Sequence, residues 1–310
     1  MKQGRTTEKI INRITHFKFA MKEGFLIGGG LIAAGLLLQL SIGPVVWEAY
    51  AWPANALVLA AFLAMIGVMF LLRKKIRVFQ FIGTYQAAIP TLVYAVVLTM
   101  IMGLTRQTAD GTWLNDMLTF WPFVLTYIYM AVILGMVILR RISRLRSHHG
   151  MRDAAFVLNH LGLFLAMTTA TLGNADMQRL KMVTMVGGPE WRALTQEGMI
   201  RELPMSVELK RFIMETYADG SPKRFASELK IQTKAGRTIE TTVEVNKPVE
   251  VDGWKIYQYG YDTQMGAMSQ TSILELVKDP WLPLVYTGIY MMLGGAICLF
   301  ILGGKKKIVK

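Results

Sequence analysis

Residues 154–173 read AAFVLNHLGLFLAMTTATLG. The stretch is long enough to cross ~30 Å of hydrocarbon, which takes about 20 apolar residues, and it places His160 inside that span. An ionisable side chain at membrane depth is expensive, so His160 is the first candidate functional residue. Ahead of it stands the basic run RRISRLRSHHGMR, residues 140–152, and behind it the only long polar region of the chain.

Working outward, five more apolar runs appear, at residues 24–43, 54–72, 87–104, 120–139 and 283–303. The basic residues gather at their ends: Lys2 to Lys22 before the first, Arg73-Lys74-Lys75-Ile76-Arg77 after the second, 140–152 after the fourth, and Lys305-Lys306-Lys307 after the last. The loops at 44–53 and 105–119 carry little positive charge, and Trp47, Tyr50, Trp52, Trp113 and Trp121 suit an interfacial aromatic belt. Positive loops stay in the cytoplasm, so span count and charge bias agree on six transmembrane helices with both termini inside. The N-terminal residues are too polar for a removable signal peptide, and the first run is long enough to remain as a span. They read as a cytoplasmic lead-in, with His16 solvated or interfacial.

The net charge of +13 is therefore a topological signal and a contact for membrane lipids, and nucleic acid is excluded as a partner. A single cysteine, Cys298, rules out an internal disulfide or dithiol cycling and reads as an apolar packing residue.

The polar region then lies outside the cell. Residues 174–193 read as an amphipathic or irregular connector. After it, MSVELKRFIMETY, FASELKIQT, TIETTVEV, WKIYQYGY and QTSILELV alternate as half-buried strands, separated by ADGSPK, KAGR and NKPVEVDG. The expected fold is a membrane α-helical protein with a small extracytoplasmic antiparallel β domain between helices 5 and 6. Its divisions are a five-span membrane domain with the N-terminal tail (1–173), the β-rich domain (174–282), and a final transmembrane helix with a basic tail (283–310).

Candidate chemistry is sparse. Gly162, Ala166, Thr169 and Ala170 would let a helix or a flat macrocycle approach the His160 helix. His148 and His149 read as solvated loop residues, although with Arg144 and Arg146 they could meet carboxylates. Tyr257, Tyr259 and Tyr261 share one strand face and are expected to pack in a core. Met177, Met182, Met185, Met265 and Met268 read as gap-fillers. Gly28-Gly29-Gly30 reads as a packing feature of the first span, and Pro90 as a first-turn proline of the third. No nucleophile–base pair, paired catalytic carboxylates or phosphate-binding glycine loop is apparent, so no catalytic residue is assigned.

The C-terminal half resembles the ResB family, also called CcsB, membrane components of system II cytochrome c maturation. The resemblance is carried by YADGSPKRFASEL (217–229), VEVNKPVEVDGWKIYQYGYD (243–262), KDPWLPLVYTGIYMMLGG (278–295) and, in span five, NHLGLFL (159–165). It implies a multi-pass protein of the bacterial cytoplasmic (inner) membrane that handles haem b, with His160 as an axial ligand to the haem iron. It also implies delivery of haem outward to apocytochrome c within a haem lyase complex. The family's partner, CcsA, carries a WWD segment with flanking histidines. This chain has neither a WWD segment nor a histidine after His160, so a CcsA-like subunit is implied. The other readings are a membrane electron-transfer cytochrome b subunit and a non-haem assembly scaffold.

Overall fold

The computed structural model describes residues 20–108, 113–148, 150–196 and 198–303. The N-terminal lead-in with His16, the loop residue His149 and the terminal lysines lie outside them. Contacts divide the chain into Met1–Ala175 with Pro283–Lys310, and Asp176–Leu282.

The first unit is helical: α1 (Met21–Ile42), α2 (Ala54–Leu72), a short α3 (Arg77–Ile82), α4 (Tyr85–Leu104), α5 (Trp121–His148), α6 (Met151–Gly173) and α7 (Leu282–Gly303). Among the described residues, all but α3 are long and apolar enough to cross a bilayer. The chain is a multi-pass membrane protein.

Small residues set how these helices meet. A Cβ on Gly28 would stand 2.3 Å from the Tyr94 ring, and one on Gly35 would stand 2.5 Å from the Pro122 nitrogen. So α1 lies backbone-close to α4 and α5, while Gly30 meets open space. Pro90 lies inside α4, beyond its first turn, because the helix starts at Tyr85. Lacking an N–H, Pro90 leaves the Gln86 carbonyl without its helical donor. Gly24 of α1 packs on that carbonyl, where a Cβ would stand 2.4 Å away.

The helix most enclosed by its neighbours is α5, whose Ala131, Val132, Ile133, Leu134 and Met136 are buried against α2 and the α3–α4 region. At its basic end Arg140 donates to the carbonyls of Gln80 and Gly83, the latter at 2.8 Å. These are among the last carbonyls of α3, where a cation offsets the helix dipole. At the opposite end, Trp121 donates its indole N–H to Gly43 O at 2.9 Å, and its backbone N–H to the buried Gln39 side chain at 3.1 Å.

The second unit is one antiparallel sheet of eight strands. They are β1 (Gln178–Met185), β2 (Pro189–Leu194), β3 (Ile200–Thr216), β4 (Pro222–Thr233), β5 (Thr238–Glu244), β6 (Val249–Val251), β7 (Trp254–Tyr261) and β8 (Thr271–Lys278). Their order is β5-β4-β3-β2-β1-β8-β7-β6. The sheet curls onto itself: Ser227 on β4 donates to Gln258 Oε1 on β7 at 2.5 Å, although four strands lie between these two in the sheet order. Within the curl lie Met182, Val207, Leu209, Leu229, Ile231, Ile256, Leu274 and Leu276.

Two sequence expectations change here. The connector at 174–193 is instead β1 and β2: Leu180, Met182 and Thr184 alternate inward while Arg179, Lys181 and Val183 face out. That two-residue period is a strand signature. The tyrosines of β7 do not all share a face. Tyr257 and Tyr259 stand on the outer one, with Trp254, Ile256 and Gln258 turned inward. A bulge between Gln258 and Gly260 turns Tyr261 inward opposite Ser272, stacked on Phe212 at 4.8 Å and Phe225 at 5.3 Å. Gln258 can be buried because its amide is satisfied. Its Nε2 donates to Gly260 O at 2.9 Å and Ser272 Oγ at 3.0 Å, and its Oε1 accepts from Ser227. A buried amide so paired avoids the desolvation cost that a tyrosine hydroxyl would bring without a partner.

Candidate functional site around His160

Helix α6 begins after an extended Gly150, with Asp153 in its first turn, where an acidic side chain complements the positive end of the helix dipole. Asp153 Oδ1 stands 2.9 Å from Arg141 Nε of α5. This is an ion pair without hydrogen-bond alignment, since that nitrogen is buried and makes no hydrogen bond. It ties the basic end of α5 to the start of α6. One turn further along, the Arg141 guanidinium carbon lies 4.6 Å from the centre of the Phe156 ring. Phe156 in turn stacks on His160, centres 3.7 Å apart and planes 20° from parallel.

The half-buried imidazole is fixed at one nitrogen: Nδ1 lies 3.0 Å from the Phe156 carbonyl oxygen. A carbonyl can only accept, so Nδ1 carries the proton, and in the neutral ring Nε2 keeps its lone pair. A backbone carbonyl on Nδ1 in this way fixes the tautomer and orientation of the ring and leaves Nε2 free to donate its lone pair.

The flank of α6 that carries Asn159, Gly162 and Ala166 is occupied by α7. A Cβ on Gly162 would stand 2.4 Å from Met292 N, one on Gly288 2.6 Å from Ala166 N, and one on Gly295 2.4 Å from Asn159 N. Asn159 Nδ2 donates to Met292 O at 2.7 Å. The small residues thus serve helix contact, and the macrocycle approach expected at Gly162 and Ala166 is blocked by α7. Thr169 is buried with its hydroxyl on Leu165 O at 2.7 Å. On the side facing α2 and α5, Phe164 lies parallel to Phe62 at 6.3 Å and borders Gly135.

Other candidates separate from this centre. The side chains of His148 and Arg146 and all of His149 lie outside the description, and Arg144 is exposed. Met182 is core, whereas Met185, Met265 and Met268 are exposed in the β unit, and Cys298 is exposed on α7. Among the described residues no three His, Cys, Asp or Glu side chains gather to hold a metal ion. Arg141 and Phe156 were not singled out from sequence. The available signal was the helical spacing of Asp153, Phe156 and His160, which sets the three on one face.

A tetrapyrrole iron asks for an unprotonated nitrogen, and Nε2 of His160 meets that requirement as a single axial donor. The residues fit one ligand; a second would come from elsewhere.

Comparison with known proteins finds a family similar to the segment that carries this centre. The model of the ResB-like family matches residues 147–271. The cytochrome c biogenesis protein CcsB of Prochlorococcus marinus subsp. pastoris is 28% identical over 134 residues, covering 43% of this chain and 30% of the relative. The chain thus aligns with under a third of the length of that relative. Among solved structures, cytochrome c heme lyase CcmF aligns over 80% of this chain and 45% of its own, at 14% identity and a TM-score of 0.34. That likeness is too loose to define a common fold. The matched segment runs from the end of α5 through His160 and its Asn159 anchor to the first residue of β8, and over that segment the chain is similar to the ResB-like family.

Proposed function

We propose that this chain is the ResB-like subunit of a system II cytochrome c maturation complex. It holds haem b in the membrane through His160 and helps pass it outward to apocytochrome c. The observation that carries the reading is the Nδ1 contact with Phe156 O, which leaves Nε2 as an oriented base at membrane depth. The name of the Prochlorococcus relative supports the pathway. When bound, haem supplies the vinyl groups to which apocytochrome thiols add. The protein's own residues hold and orient: Phe156 restrains the imidazole plane, and the Gly162–Gly288 contact fixes α6 against α7.

A CcsA-like, WWD-bearing membrane subunit is the partner in that complex. With both termini inside the bacterial cytoplasmic membrane, as the distribution of Lys and Arg favours, the β unit is extracytoplasmic and offers apocytochrome c a docking surface. The domain divisions at 1–173, 174–282 and 283–310 belong to the same reading.

The test is to purify the full chain with its WWD-bearing partner and measure haem per protein for wild type and for His160→Ala. Loss of most of the haem is expected. Equal haem content in the two preparations removes the ligand assignment.

A further inference from the structure

We propose that Arg141 is the receptor for a haem propionate, an inference that rests on the haem reading of His160. Arg140 and Arg141 adjoin at the basic end of α5 but are used differently. Arg140 is committed to the carbonyls of Gln80 and Gly83. Arg141 makes no hydrogen bond to another described residue, and its one charged contact is the unaligned Asp153 pair. Its side chain is 27% exposed and that of Asp153 19%. A guanidinium presents five donors in a planar fork matched to a carboxylate, and a half-buried cation with its fork unfilled is costly unless a partner arrives.

The position of Arg141 selects the partner. Its guanidinium and the His160 imidazole both contact the Phe156 ring, at 4.6 Å and 3.7 Å. A ligand held at His160 Nε2 by its centre and carrying carboxylates at its edge brings an anion to this neighbourhood. Haem is such a ligand. The bound propionate would share Arg141 with Asp153, so Asp153 is a competing carboxylate, and removing its charge strengthens the ligand's hold.

The experiment titrates the purified full-length chain, reconstituted with its WWD-bearing partner, with haem b and with haem b dimethyl ester, whose propionates are masked. Wild type is expected to prefer haem b by at least about tenfold, the scale of one charge-assisted hydrogen-bonded pair. Arg141→Gln is expected to lose that preference while binding the ester as wild type does, and Arg141→Lys to keep part of it. Asp153→Asn is expected to keep or increase it. If Arg141 only braced the helices, Asp153→Asn would behave as Arg141→Gln, and that result overturns the proposal. So does equal wild-type affinity for the two ligands, or an undiminished preference in Arg141→Gln. The haem reading fails separately, if His160→Ala leaves haem b binding unchanged or wild type binds neither ligand.

Discussion

The His160 imidazole lies face to face with the Phe156 ring, centres 3.7 Å apart, while its Nδ1 rests 3.0 Å from the carbonyl oxygen of that same residue. One residue therefore restrains both the plane and the tautomer of the ring. The backbone contact survives any substitution at Phe156, whereas the stacking does not, so the two restraints can be separated.

Phe156→Ala is expected to keep Nδ1 protonated but loosen the ring. An aromatic pair contributes about 0.5–1.5 kcal/mol beyond its burial, so, under the proposed haem reading, haem affinity should weaken roughly 2- to 10-fold. Titration of the purified full chain measures the affinity, and nitrogen-15 spectra of labelled histidine report the tautomer. A Phe156→Ala ring protonated at Nε2 would contradict the assignment.

The α6–α7 seam has no room for a side chain at Gly162, where a Cβ would stand 2.4 Å from Met292 N. Gly162→Ala should force the helices apart at a cost of about 1–3 kcal/mol, the usual scale of overpacking. Gly294→Ala meets open space and should be close to neutral. Thermal unfolding in detergent, with cross-linking between α6 and α7, compares the two. Equal stability would show that the close approach is unimportant.

In the β unit, Leu274 is fully buried, and Leu274→Ala should cost about 2–5 kcal/mol. Ser227→Ala leaves Gln258 Oε1 without its 2.5 Å donor at a cost of about 1–3 kcal/mol. Protease resistance of the β unit within the full chain ranks the two, and a stable Ser227→Ala would show that Ser272 takes over the contact.

At the β2 bulge, Arg192 side-chain hydrogen bonds hold the Glu190 carboxyl down to about 2, helped by the backbone N–H groups of Arg192 and Trp191. Because the folded value is depressed, this contribution to stability is present above the ordinary value of 4.5 and is lost as pH falls toward about 2. The pair is near the surface, so the effect on stability is small and screened by salt. Carboxyl NMR titration should place the Glu190 midpoint near 2 in wild type, and Arg192→Gln should return it toward 4.5. An unchanged midpoint in the variant would refute the cause given.

Membrane character and the helical runs were legible in the chain because hydrocarbon imposes a length and a polarity that any reader of the sequence can apply. Strands β3, β4, β5, β7 and β8 were legible by alternation, whereas the three-residue β6 fell within the break NKPVEVDG and was too short to show a period. The alternation at QRLKMVTM marks β1, hidden by its place beside a span. His160 stood out because one polar residue in an apolar run costs energy. Pairings distant in the chain were not legible. No local rule sets Gly162 against Gly288, turns Gln258 inward to Ser227, or brings Arg141 over Phe156. Each depends on which helix or strand lies opposite, which only packing of the whole unit decides. The residues that bear a cost are visible in isolation; the partners that offset it are chosen by the fold.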